Sequence, residues 1–168
     1  MWKARLVSAT AQVLGLLGVV LGAALSWGAG ALNERARFRR EQITRAQDRR
    51  LDAYAEFSSS TKRTMSVLFR AAAARGVDQQ TEPLSLDDAK PLLAAAYHDR
   101  EVAFEKVRLV GREEVAEAAR LWVRAIYKMR EAVTEEILTE ERWSDLVSTA
   151  NAHRAAFHEA ARGDLGLS

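Results

Sequence analysis

Between Arg5 and Glu34 the chain carries no charged side chain for 28 residues. The run Leu6 to Leu32, LVSATAQVLGLLGVVLGAALSWGAGAL, is long enough to cross a bilayer as one helix. A hydrocarbon core of about 30 Å needs roughly 20 apolar residues at 1.5 Å each. The chain therefore divides into a transmembrane anchor at residues 1–32, an arginine-rich juxtamembrane stalk at residues 33–50 and a helical domain at residues 51–168. The last is large enough for one core and too small for two domains of usual size.

The net charge of +2 conceals an asymmetry. Residues 1–50 hold nine Lys/Arg against three Asp/Glu, whereas residues 51–168 hold sixteen against twenty. The basic character thus belongs to the membrane edge and not to a nucleic-acid-binding surface. Arg35, Arg37, Arg39 and Arg40, then Arg45, Arg49 and Arg50, follow the anchor, while only Lys3 and Arg5 precede it. Positive charge is retained on the cytoplasmic side, which puts the amino terminus outside and the helical domain at the inner face of the cell membrane. Arginines so close to an anionic leaflet each gain about 1 kcal/mol from it. The rival reading is an exported, outward-facing, sensor-like bundle. Ala29-Gly30-Ala31 satisfies the small-x-small rule for signal cleavage, against which stand the length of the apolar run and the arginines behind it.

Within the anchor, Gly15, Gly18 and Gly22 fall near one face, and Gly18 to Gly22 forms a GxxxG. Small residues let two backbones approach closely, so this face suits a homodimer through the transmembrane helix or docking on another membrane protein. Trp2 and Trp27 bracket the span, about 37 Å apart on a helix, as interfacial anchors.

Beyond the anchor the apolar spacing stays helical, and only Pro83 and Pro91 interrupt the chain. Ile43, Leu51, Tyr54, Phe57, Thr61, Met65, Leu68 and Ala72 make one stripe that ends at Gly76. After a loop at Val77 to Pro83, Ser85-Leu-Asp-Asp88 reads as a capping box. The helix it opens carries Leu93, Ala96, Tyr97, Ala103, Phe104, Val107 and Val110, and Gly111 ends it in a tight turn. Val115, Ala118, Trp122, Ile126, Met129, Val133 and Ile137 form a third stripe. Thr139 caps a fourth helix with Trp143, Leu146, Val147, Ala150, Phe157 and Ala161 inward, stopped by Gly163. The fold class predicted is all-α: one transmembrane helix continuing into an antiparallel four-helix bundle. The acidic cluster Glu131, Glu135, Glu136, Glu140 and Glu141 falls at its far tip.

Catalytic and cofactor signatures are sparse. None of His98, His153 and His158 has a Glu three residues before it, as di-iron bundles require, and there is no HExxH, phosphate loop or nucleophile elbow. No cysteine is present to supply a thiolate. His98-Asp99 is half of a metal-binding HD pair without the other half. Arg154-Ala-Ala-Phe-His158 resembles the Arg-x4-6-His element of HEPN-type helical ribonucleases, with a spacing of three. That resemblance implies, as an alternative, a membrane-tethered ribonuclease using His158.

Trp143-x2-Leu146-Val147, Phe157-x2-Ala160-Ala161-Arg162-Gly-Asp164-Leu165-Gly166 and the Leu109-Val110-Gly111 junction, behind an anchor and a basic helix, resemble a group of small actinobacterial membrane proteins. The resemblance implies one transmembrane helix with a carboxyl-terminal helical bundle and no catalytic residue. The function expected is a non-enzymatic interaction, scaffolding or regulatory module without cofactor, metal or nucleic acid. Its partners are the anionic leaflet, a second copy through the anchor, and a protein that the sequence does not identify.

Overall fold

The computed structural model describes Phe38, residues 41–79 and residues 81–167. The expected anchor, with Gly15, Gly18 and Gly22, and the stalk arginines Arg35, Arg37, Arg39 and Arg40 lie outside the described residues. Among the described residues no helix is long and apolar enough to cross a membrane. The chain separates into two compact units, Met1–Ala46 and Gln47–Ser168. In the first, residues 41–46 are helical and exposed, with Glu41 and Arg45 paired across one turn.

The second unit is an all-α bundle of four helices. The first, α1, covers residues 47–74 of this unit; α2 is Leu86–Val110, α3 Glu113–Thr134 and α4 Glu140–Leu165. Cross-helix pairs fix their directions. Arg50 donates to the Val110 carbonyl at 2.9 Å, Lys106 pairs with Glu56 at 2.7 Å and Arg63 with Asp99 at 3.5 Å, so α1 and α2 run in opposite senses. Contacts of Tyr54 with Asp164, of Ser58 with His158 and of Phe69 with Trp143 do the same for α1 and α4.

Spacing of three and four along α1 buries Tyr54, Phe57, Thr61, Met65, Leu68 and Ala72, as the sequence stripe predicts. Ile43 and Leu51 depart from it and stay exposed. Ser60 and Thr64 are also buried, and each hydroxyl folds back onto a carbonyl of its own helix, at Phe57 and Ser60 respectively. The helix ends where expected. Gly76 takes φ of 76°, and the Val77 amide reaches back to the Ala72 carbonyl at 3.2 Å, closing the last turn.

Helix α3 is more strongly two-faced than α2 or α4, and its buried side holds Val115, Trp122, Ile126, Met129 and Val133. Trp122 is fully buried against Phe57, Phe157 and His158, with ring centroids 5.7, 5.7 and 6.1 Å away. Three helices thus share one aromatic centre, and each such pair contributes about 0.5–1.5 kcal/mol beyond its buried area.

Caps and stops follow local chemistry, with two corrections. Ser85 and Thr139 accept from the amides of Asp88 and Arg142, as caps should. α3 stops at Thr134 and not beyond Ile137, which lies in the following loop, 75% exposed. There Arg75, in the turn after α1, donates to the carbonyls of Val133, Glu135 and Glu136 at 2.7, 2.8 and 3.0 Å, taking the acceptors a longer helix would use internally. Gly163 does not stop α4. The helix runs through it to Leu165, and Gly166, at φ of 70°, carries the left-handed cap.

Candidate functional site

On α2 the buried positions are Ala89, Ala96, Arg100, Ala103 and Val107, a helical face with an arginine in its middle. Arg100 has no exposed surface. Its Nη2 donates to the Tyr127 hydroxyl at 2.8 Å and to Glu101 Oε1 at 2.9 Å. The guanidinium carbon stands 4.8 Å from the ring centroids of both Tyr97 and Tyr127, which stack 5.9 Å apart at 26°. Attraction to the ring quadrupoles offsets part of the desolvation of the cation. The Glu101 carboxylate offsets more, but Arg100 Nε and Nη1 and the Tyr97 hydroxyl are buried without a hydrogen-bond partner. Each such group costs about 1–3 kcal/mol. Burial also pushes the Tyr97 phenol above its ordinary pKa of 10.0, against the pull of Arg130 and Arg100.

Beside this cluster a groove of about 700 Å³ opens between the first half of α2 and the last half of α3. Leu68 of α1, Leu86, Leu93, Tyr97 and Val133 supply its apolar lining. Lys90 and Arg130 are its basic groups and Asp87 its acid. Asp87 is already engaged by Lys90 at 2.7 Å, which holds its carboxyl below the usual value. Arg130 lies over the Tyr97 ring at 5.3 Å and has no ion pair among the described residues.

A second buried charge sits at the end of the bundle where α1 begins. The Asp164 side chain is 1% exposed. It accepts a 2.5 Å hydrogen bond from the Tyr54 hydroxyl, and its other oxygen lies 2.9 Å from Arg112 Nε and 3.6 Å from Arg50 Nη1. The two arginine contacts are ion pairs without hydrogen-bond alignment. Burial and the neighbouring carboxylate hold the Tyr54 phenol far above its ordinary value. Gly111, between α2 and α3, is extended at φ of −85°, so no left-handed turn explains it. Close approach does, since a Cβ there would lie 2.8 Å from both the Tyr54 hydroxyl and the Val107 carbonyl.

The histidines named from sequence have other surroundings. His158 faces α1, with Nε2 3.1 Å from Ser58 Oγ and its ring against Trp122 and Phe157. Burial first, then the charges of Lys62 and Arg154, lowers its pKa. Arg154 lines a separate groove with Lys62, Phe69 and Asn151. His98 is exposed, while its neighbour Asp99 is engaged by Arg63. Among the described residues no group of three or more His, Cys, Asp or Glu is placed to hold a metal ion.

Sequence reasoning missed both buried charges. Arg100 sits in Asp-Arg-Glu and reads as surface, yet Ala96, Ala103 and Val107 at helical spacing put it on the inward face. Asp164 reads as part of a helix stop, and nothing local shows that Tyr54 lies over it. Compared with known proteins, the chain is matched by no family model, no curated protein and no solved structure.

Proposed function

We propose that this chain is a single-pass protein of the cell membrane, amino terminus outside, whose bundle acts as a non-enzymatic binding or scaffolding module at the cytoplasmic face. The observation that carries the reading is the uncharged run from residue 6 to residue 33, followed by seven Lys/Arg before residue 51 and preceded by two. The charge of the remainder supports it. Residues 51–168 are net −4, and Glu135 and Glu136 lie at the opposite end of the bundle from Arg50. On this reading Arg35, Arg37, Arg39 and Arg40 meet anionic headgroups, and Gly15, Gly18 and Gly22 pair two anchors.

Protease protection in inverted and right-side-out vesicles tests the orientation. Digestion of the bundle only when the cytoplasmic face is accessible is the expected result. A protected bundle in inverted vesicles, with a mature chain beginning near Leu32, would overturn it in favour of export.

A further inference from the structure

The groove between α2 and α3 has an apolar bed and a basic end. Leu68 and Val133 are buried beneath it, Leu86 and Leu93 are half-buried along it, and the exposed guanidinium of Arg130 lies at the Tyr97 end. Its volume falls within the 300–1,000 Å³ of small-molecule sites. Charge selects the class of occupant. The one acid on the wall, Asp87, is taken by Lys90, so Arg130 faces the groove uncompensated. Behind the Tyr97 ring lies the buried Arg100, whose Nη2 is engaged by Glu101 and Tyr127 and whose guanidinium backs the ring. An exposed guanidinium at the end of an apolar bed meets a carboxylate through a charge-assisted hydrogen bond while the bed takes the chain. A neutral hydrocarbon would satisfy the leucines and leave the guanidinium without a counter-charge; a short acid would do the reverse.

We propose that the α2–α3 groove binds a single-chain amphiphilic anion, its acyl chain along Leu68, Leu86, Leu93 and Val133 and its carboxylate at Arg130. The site does not depend on which way the anchor crosses the bilayer. Arg100 acts here as a positioning residue, holding Tyr97 in the wall through its guanidinium-ring contact.

The full chain in phosphatidylcholine vesicles, exposed to a hexadecanoate analogue with a diazirine near the chain end, tests this by mass-spectrometric mapping of the photo-adducts. Adducts should concentrate in residues 86–97 and 130–134. Unlabelled hexadecanoate should compete and hexadecanol should not. Arg130→Gln should lower groove labelling about tenfold, the loss of one charge-assisted contact. Ala94→Trp, a substitution at an exposed lining residue, should abolish it while helical circular dichroism is unchanged. Adducts confined to residues 1–40, equal competition by the alcohol, or labelling indifferent to both variants would each overturn the proposal. Vesicle orientation does not enter the readout, so its failure is distinct from failure of the topology.

Discussion

Two charges are buried in this bundle, and the surroundings of Asp164 and Arg100 differ in kind. Asp164, where the first turns of α1 meet the end of α4, has a phenol on one oxygen and two guanidinium groups beside the other. Arg100, midway along α2, has one surface carboxylate, two aromatic faces and two nitrogens with nothing to donate to. Removing one partner of a compensated buried charge strands the others. Removing one met only by a surface carboxylate and two rings relieves the fold of a desolvation cost that it recovers in part. The first arrangement joins elements together; the second is tolerated by the fold and points to a use.

The largest effect belongs to the compensated site. Asp164→Ala leaves Tyr54 and Arg50 without their carboxylate and should lower unfolding free energy by about 3 kcal/mol, at the low end for broken buried pairs because Arg112 is largely exposed. Urea denaturation measures it; a loss below about 1 kcal/mol would erase the distinction. Next comes Gly111→Ala, whose methyl must displace the Tyr54 hydroxyl or the Val107 carbonyl. About 2 kcal/mol is expected from such overpacking, and little further loss when it is combined with Asp164→Ala, since both act on the Tyr54 contact.

At the partly compensated site the expected sign differs. Arg100→Met keeps most of the volume and removes the charge, so stability should hold within about 1 kcal/mol or rise. Loss comparable to Asp164→Ala would show that the two charges are held alike. That this arginine is inside at all was legible only in part. The stripe of α3 and the caps at Ser85 and Thr139 are written in residue type and spacing, because burial of large apolar groups and satisfaction of helix ends are local rules. Arg100 and Asp164 obey a rule that is not local: a charge goes inside only if residues far away in sequence arrange to meet it. Tyr127 is 27 positions from Arg100 and Tyr54 is 110 from Asp164. The end of α3 departs from its stripe for the same reason, since Arg75, just past α1, takes the carbonyls of Val133 and Glu135; the end of α4 is local, with Gly166 rather than Gly163 in the left-handed cap.

The smallest effects are in pH dependence. The folded state holds His158 below the ordinary imidazole value of 6.5, so the unfolded chain takes up the proton first. Stability is therefore full above that value and declines as pH falls through it, and His158→Gln should flatten the slope. Tyr54 gives the opposite sign, being raised in the folded state. Stability should decline as pH climbs past the ordinary phenol value of 10.0, and Tyr54→Phe should reduce that alkaline slope, the raised Tyr97 phenol supplying the remainder. Paired titrations of urea midpoints against pH would show whether the two slopes lie on opposite sides of neutrality.

The Tyr54–Asp164 contact spans 110 residues, so it closes nearly the whole bundle domain on itself. A contact of that separation must wait until the intervening helices have collapsed, because loop closure costs entropy before the contact rewards it. The expected order is formation after the rate-limiting step, so that the contact acts on escape from the native state rather than on arrival. In a chevron, Asp164→Ala should raise the unfolding limb and leave the folding limb in place. The aspartate would then set how long a folded molecule survives between openings, with no bearing on how quickly the chain first finds its fold.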